Sequence, residues 1–533
     1  MFKIDPRQDG FISSEMVYSS VISERHILVR IENAIDFTFI DEMLKDTYSP
    51  DNGRPTTNYP SRMLKALWLE TFYNLSDRDV ADRANVDLAI KWFLGYNINE
   101  KPFEFSALSG FRDRLGEEGC KEAFFRINEQ IQDAGFINPG QSQTIDATHV
   151  LSKTAHLTPM KMIYRGIMKL LQEVRRLSPE LEIEIRKEVG FEGDITEIPK
   201  EYGMSDAERL DRLTRLVLLA EALTKSIDVR LIEIPDGDRK TGVGSTVEVI
   251  RRIISEQTVE ETSENGKTKR TERKKKDKPK DRIANPIDPD ARHGHKTSKK
   301  PFLGYKVSLT QNEDEIVTNV EVDPGNMVDG EAQIPMTDEL EERQGKRPKK
   351  MIGDKAYGDG EVRHEQKENG TQVSAPLKKP FNRTGKLPSS EFNYDPKTGE
   401  VTCPNGKTAR RVGYNKTNHS TMYQFSPDDC GTCPMKDRCT NADARHINIS
   451  DYITDFREAA DYNKTEEYKL DMKRRSGHER KNAEMKKKHG MERARYWGIP
   501  KVRIQAYMTA MVVNVKRFVK LLSKVNEKVV QAV

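Results

Sequence analysis

No stretch of this chain is apolar enough to cross a bilayer. The most apolar late segment, Tyr507 to Leu522, is broken by Asn514, Lys516, Arg517 and Lys520, whereas a spanning helix needs about 20 largely apolar residues. The first residues, MFKIDPRQDGF, lack the basic-then-apolar order of a secretory signal. Cysteine is scarce as well: five in 533 residues, four of them within 403–439. That distribution excludes a disulfide scaffold and favours local metal binding. Aromatic residues are only 7% of the chain, while 33% is charged. A cytoplasmic protein with no membrane partner is expected.

At 533 residues the chain exceeds one hydrophobic core, so three or four modules are expected. The formal net charge of +4 conceals clustering, because Lys267 to Arg282 holds ten basic and three acidic residues. A second basic run extends from Lys469 to Arg495. Such clusters suit a polyanion such as DNA, although lysine runs are often plain solvated surface.

Residues 20–135 read as helical. Ser61 to Tyr73 has helical apolar spacing, Ser76 and Asp79 form a capping-box variant, and a helix carrying Trp92, Phe93 and Leu94 follows. Three short helices in series are compatible with a helix-turn-helix or with an ordinary bundle. Gln143 to Val150 is a short strand ending near a carboxylate, after which residues 158–260 return to about three helices. Glu261 to Arg282 has almost no apolar residue and is expected to be a linker, disordered or ordered by DNA. Lys300–Thr310 and Ile316–Val322 read as paired strands, Met327–Gln344 contains a helix, and Lys349–Tyr357 and Thr371–Pro376 are further strands. This is an α/β order, with polar residues gathered at strand ends, where open sheets place their sites. Ile499 to Lys524 is one amphipathic helix whose Tyr507, Met508, Met511, Val512, Val515, Phe518 and Val519 would cover the sheet.

Four features carry chemistry. Asp146 and Asp354 sit near strand ends, where an aspartate alone is usually a turn or cap residue. On a helix expected over 466–488, Arg475, Glu479 and Lys486 share one side, at about 100° per residue. An i,i+4 ion pair between Arg475 and Glu479 would be the plain alternative. Three carboxylates could hold two hard divalent ions, and the flanking cations could hold phosphates. Cys403, Cys430, Cys433 and Cys439 give a C-x26-C-x2-C-x5-C spacing suited to a structural zinc ion, with reduced unliganded thiols as the alternative. Cys120 is expected to be packing. Asp288 to Lys296 is dense in functional side chains, and Asp290, Arg292 and Lys296 could position DNA or close a site. His149, His293 and His295 carry little signal.

Taken together, Asp146 in Ile-Asp-Ala-Thr-His, Asp354 in Gly-Asp-Lys-Ala-Tyr-Gly and Arg475-x3-Glu479-x6-Lys486 resemble the DDE transposases of bacterial insertion sequences. The match is to the group with a tyrosine-arginine-glutamate-lysine signature. Pro60–Leu115 is similar to that family's N-terminal domain, Asp288–Arg292 with Gly304–Lys306 to its second-strand region, and Val513–Arg517 to its closing helix. The signature tyrosine would fall at Met472, so its phenol is missing or comes from elsewhere, Tyr468 being a candidate. Glu484 rivals Glu479 as third acid but lies about 140° round the helix.

The resemblance implies an RNase H-like mixed sheet flanked by helices, with a helical DNA-binding domain over 1–135. The core would occupy 140–156, 285–390 and 449–525. A helical insertion and basic linker would span 157–284, and a cysteine-rich zinc insertion 391–448. It implies two Mg2+ or Mn2+ ions on Asp146, Asp354 and Glu479, DNA contacts from Arg475, Lys486, Arg292 and Lys296, and a nucleoid-associated homo-oligomer. The activity implied is cleavage at terminal inverted repeats of double-stranded DNA and strand transfer into a target. A catalytically dead DNA-binding descendant and a plain RNase H-like nuclease are the alternatives.

Overall fold

β-Branched and apolar residues on alternate positions build the central sheet of this computed structural model, which describes residues 13–48, 58–191, 201–262, 268–297, 300–378 and 385–532. The N-terminal leader expectation falls on residues 1–11 and Lys267 of the basic run also falls outside the described residues. The chain opens with seven helices: α1 Ser14–Val21, α2 Ile27–Glu32, α3 Phe39–Met43, α4 Pro60–Phe72, α5 Asp77–Val86, α6 Leu88–Phe93 and α7 Ser106–Asp133. The Ser76 hydroxyl and Asp79 carboxylate cap α5 reciprocally, as their spacing predicts. Asn85 lies inside that helix, which runs on to Val86.

Strand β1 (Gln143–Leu151) follows, then four helices, α8 Pro159–Leu177, α9 Pro179–Glu188, α10 Asp206–Leu231 and α11 Asp238–Gln257. These four bury a core of their own around Ile163, Ile167, Leu171, Val217, Leu223 and Ile250. The expected linker is instead largely built. A hairpin, β2 (Thr258–Thr262) with β3 (Thr268–Glu272), packs on α10, and Arg270 reaches Glu221 at 2.6 Å. Low hydropathy hid these strands because they pair with each other through the backbone and bury little.

The sheet continues with β4 (Arg292–Thr297), β5 (Lys300–Gln311), β6 (Val317–Pro324), β7 (Lys350–Ile352) and β8 (Gln372–Ser374), with α12 (Gln333–Gln344) and α13 (Gly360–Glu368) in the connections. β1 is antiparallel to β5, β5 to β6, and β7 and β8 run parallel to β1. β4 extends the far end of β5. An added Cβ on Gly304 would lie 2.0 Å from the Val150 carbonyl oxygen, so this crossing of β1 and β5 admits only glycine.

A second sheet, β9 (Asn393–Tyr394), β10 (Val401–Thr402), β11 (Thr408–Asn415), β12 (Ser420–Gln424) and β13 (His446–Ser450), carries the short helices α14 (Pro427–Gly431) and α15 (Lys436–Cys439). It has its own small core of Phe392, Val401, Tyr423, Phe425, Ile447 and Ile449. Helices α16 (Ile453–Tyr462), α17 (Glu466–Arg475), α18 (Gly477–His489) and α19 (Ile499–Ala532) complete the chain. All seven apolar residues expected to face the sheet from α19 are buried. Each contributes roughly 1.5–3 kcal/mol. One continuous cluster joins α2–α7 to β5, β6, α18 and α19, so the N-terminal helices and the sheet share a single core. Within it Val80, Ala81 and Ala84 of α5 and Ile90 and Phe93 of α6 are buried. Cys120 is buried there too, as expected of packing.

Candidate active site

Parallel pairing sets the first two acids side by side. Thr144 of β1 is level with Ile352, the last residue of β7, so Asp146 stands two residues further along β1 and Asp354 two residues past the end of β7 beside it. Asp146 therefore lies inside β1, which runs on to Leu151, and not at its end. Asp354 does leave its strand at once, and its carboxylate accepts from the Ala356 N–H at 2.6 Å.

The third acid arrives on α18. The single helix expected over 466–488 is two, meeting at Ser476, so Arg475 ends α17 and Glu479 lies in the first turn of α18. His478 seats that turn. Thr144 Oγ1 donates to the Gln311 carbonyl at 3.1 Å, so His478 Nε2–H must donate to Thr144 Oγ1 at 2.8 Å. Burial holds the His478 imidazole down at about 4, hence neutral. One residue on, Glu479 faces the carboxylates of the sheet.

Asp146, Asp354 and Glu479 line one cavity of about 460 Å³, together with Lys296, Lys486, His149, Asn482 and Asp329. Burial lifts the Asp146 carboxyl to about 6; the Arg475 guanidinium opposes this, and Asp354 and Asp329 reinforce it. Asn482 Nδ2 donates to Asp146 Oδ2 at 3.0 Å. Burial, and then the ammonium of Lys296, bring Lys486 down to about 8, with Glu492 and Asp146 opposing. Glu484 turns away to Lys516 at 2.5 Å, and His489 and Lys516 hold its carboxyl at about 2, so it is no rival for the cavity.

Not every expected residue joins the site. Arg475 is not on the cavity wall, although its charge acts on Asp146, and the ion pair its spacing allows with Glu479 does not form among the described residues. Arg292, expected to touch DNA, has a side chain only 8% exposed and pairs with Asp281 at 2.9 Å. Its neighbour Asp290 accepts from the Ile499 N–H at 3.0 Å, which fixes the start of α19. Asp288 accepts from Ser152 at 2.5 Å, and also from Tyr305 and the Gly498 N–H. The Asp288–Lys296 segment is thus mostly a structural clasp, with Lys296 alone of its charged groups reaching the cavity.

Several site residues escaped the sequence reading. Asp329 joins from the turn after β6 and is held by Lys306 at 2.5 Å. Tyr357, three residues after Asp354, is buried, and its phenol is pushed well above the usual range by burial and by Asp146, Asp329 and Asp354. Ser308 is close by, yet the hydroxyl makes no hydrogen bond of good geometry. Tyr468, the expected substitute phenol, stacks edge-on with Tyr462 and does not line the cavity. Asn482 was findable, since it follows Glu479 by one turn; Asp329 carried no pattern.

The four cysteines converge separately. Cys403, Cys430, Cys433 and Cys439 line a cavity of about 30 Å³ with Lys407, Lys436 and Arg445 nearby. The Lys407 N–H points at Cys403 Sγ at 3.4 Å, and burial raises the Cys439 thiol, with its three neighbours adding and Arg445 opposing. Among the described residues no three His, Cys, Asp or Glu side chains stand at the spacing of a finished metal cage. The donor chemistry is nonetheless selective. Carboxylate oxygens are the donor type of a hard ion that keeps waters and substrate oxygens in its shell, and thiolate sulfurs are that of zinc.

Two family models match the chain. Residues 16–114 match a transposase domain and residues 402–519 a transposase DDE domain. The second match contains Glu479, Lys486 and all four clustered cysteines, while Asp146 and Asp354 lie between the two. Neither a curated protein nor a solved structure matches. The chain is similar to insertion-sequence DDE transposases over both segments, as its residues suggested. The two domains support a transposase function and, more broadly, a nuclease or transposase enzyme. No helix among the described residues is long and apolar enough to cross a membrane.

Proposed function

We propose that this protein is an active insertion-sequence transposase, which cleaves double-stranded DNA at terminal inverted repeats and joins the ends to a target. One observation carries the reading: three acids from distant parts of the chain line a single cavity edged by Lys486 and Lys296. The sheet order β6-β5-β1-β7-β8, with β1 between an antiparallel and a parallel neighbour, supports an RNase H-like core.

Asp146, Asp354 and Glu479 would hold divalent ions of the Mg2+ or Mn2+ kind, two in the reading the family suggests. Once bound, these supply Lewis acidity at the scissile phosphate and a nucleophile at neutral pH. The chain's own groups do the rest. Arg475 favours the charged form of Asp146, and Asn482 fixes the rotamer of that carboxylate. Lys486 and Lys296 hold non-bridging phosphate oxygens. In cleavage a water oxygen bonds to phosphorus as the P–O3′ bond breaks, leaving a 5′-phosphate and a 3′-hydroxyl. In strand transfer that oxygen forms a bond to a target phosphorus as the target's own 3′-oxygen departs, so phosphodiester number is conserved. Two element ends call for a homo-oligomer, acting at the nucleoid in the cytoplasm.

The cysteine module reads as a structural zinc site on Cys403, Cys430, Cys433 and Cys439. A zinc ion with four thiolates carries two negative charges, which Lys407, Lys436 and Arg445 would offset.

Purified protein with Mg2+ and DNA bearing the element ends tests the enzyme reading. Joined strand-transfer products are expected. Hydrolysis without end preference would make it a nuclease, and tight binding without nicking an inactive descendant.

A further inference from the structure

A second, larger groove of about 1150 Å³ opens beside the carboxylate cavity, and Lys486 belongs to the walls of both. Its sides come from the α4–α5 turn, the start of α7, the end of β1 and the segment after α18. We propose that this groove carries the phosphate backbone of the DNA whose scissile bond enters the cavity, an inference that rests on the transposase reading.

Charge is the first argument. Seven basic residues and three acidic ones line the groove. Two of the seven are engaged at its floor: Arg112 pairs with Glu70 at 3.0 Å and with Asp77, and Arg495 with Glu70. Arg78, Lys153, Lys486, Lys487 and Arg493 form no ion pair among the described residues, and all but Lys486 are exposed. Unpaired cations facing one another across a concave surface repel unless a polyanion lies between them.

Shape and composition give the second argument. Phe105 is 41% exposed on this wall, and the Arg78 guanidinium lies 4.6 Å from its ring centroid. An aromatic face with a stacked guanidinium suits a sugar or base edge, and plain anions have no use for it. Construction gives the third. His489 Nδ1–H donates to the Thr71 carbonyl at 3.1 Å, and a Cβ on Gly490 would stand 2.4 Å from Asn74 Oδ1. The end of α18 is thereby locked to the α4–α5 turn, so the N-terminal domain supplies one bank of the channel itself.

The test compares Lys153→Ala, Lys487→Ala and Arg493→Ala combined with a control at the rival basic segment after β3, in which the exposed Lys274, Lys275 and Lys276 become alanine. Binding to end-containing duplex is followed against salt, alongside cleavage and melting temperature. The groove variant should keep its melting temperature, lose about 0.9 from the salt slope per contact removed, and lose cleavage in step. The control should match wild type. If wild type binds and cleaves but the groove variant is unchanged, the groove assignment alone is overturned. A loss confined to the control overturns it too and moves the DNA to the insertion. Wild type that neither binds nor cleaves end DNA overturns both readings.

Discussion

The carboxylate cavity and the cysteine cavity each gather four side chains of one kind, by opposite routes. Asp146, Asp329, Asp354 and Glu479 come from four elements spread along the chain, and they line an open space of about 460 Å³. The cysteines come from one small module with its own core and line a space of about 30 Å³. Placement in the first case depends on sheet register and on the His478–Thr144 lock. In the second it depends on a few local turns. An open site assembled by the fold should lose function on mutation and keep its stability. A small site built within one module should do the reverse.

The largest effects should divide along that line. Asp146→Asn, Asp354→Asn and Glu479→Gln should each lower cleavage by at least about 10³-fold, the scale seen when one member of a concerted site is removed. DNA binding and melting should change little. Glu484→Gln should cleave almost normally, because Glu484 faces Lys516. A Glu484→Gln variant as dead as the aspartate variants would reassign the third acid. Cys433→Ser should act the other way. Elemental analysis should show zinc lost, and limited proteolysis should open residues 391–448 first, since structural zinc contributes about 10 kcal/mol or more of binding free energy in small modules. Unchanged metal content would dissolve the comparison.

A smaller effect concerns the cations at the open site. Lys486 titrates near 8 because burial and Lys296 oppose its charge. Its positive form is present below that pH and is lost above it. DNA affinity should therefore weaken by about tenfold from pH 7 to pH 9, roughly the worth of one charge-assisted phosphate contact. Lys486→Arg keeps its charge throughout and should flatten that profile. An unchanged pH profile in the arginine variant would exclude Lys486 as the titrating contact.

How much was legible beforehand follows the same division between local and assembled features. The α5 capping box, the β5–β6 pairing and the apolar face of α19 are written in runs of neighbouring residues, and all three were readable. The helical angle that sets Glu479 apart from Glu484 was readable as well, and of the two only Glu479 lines the cavity. Features made by contact across the chain were not. Nothing near Arg292 announces that Asp281 buries it, and nothing near Asp329 places it beside Asp354. The split between α17 and α18 was marked only by the Ser476-Gly477 dipeptide, a turn signal that the charged runs on either side outweighed. The β2–β3 hairpin was missed for a related reason: a polar sequence satisfied mainly by backbone pairing has no apolar period to read.

The smallest effects probe how rigidly the open site is held. Asn482 makes one hydrogen bond to Asp146, so Asn482→Ala should cost about 1 kcal/mol of positioning and lower cleavage about fivefold at saturating metal. A loss as deep as that of Asp146→Asn would instead make Asn482 part of the reacting centre. Tyr357→Phe goes the other way. The phenol is buried among three aspartates without a well-formed hydrogen bond, and an unsatisfied hydroxyl costs stability. Removing it should raise stability by up to about 1 kcal/mol in metal-free protein. If that gain shrinks or reverses when Mg2+ is added, the hydroxyl donates to a carboxylate only in the loaded site, and the strain it carries when empty is part of how the cavity is primed. Equal gains with and without Mg2+ would leave Tyr357 as floor packing beneath Asp146.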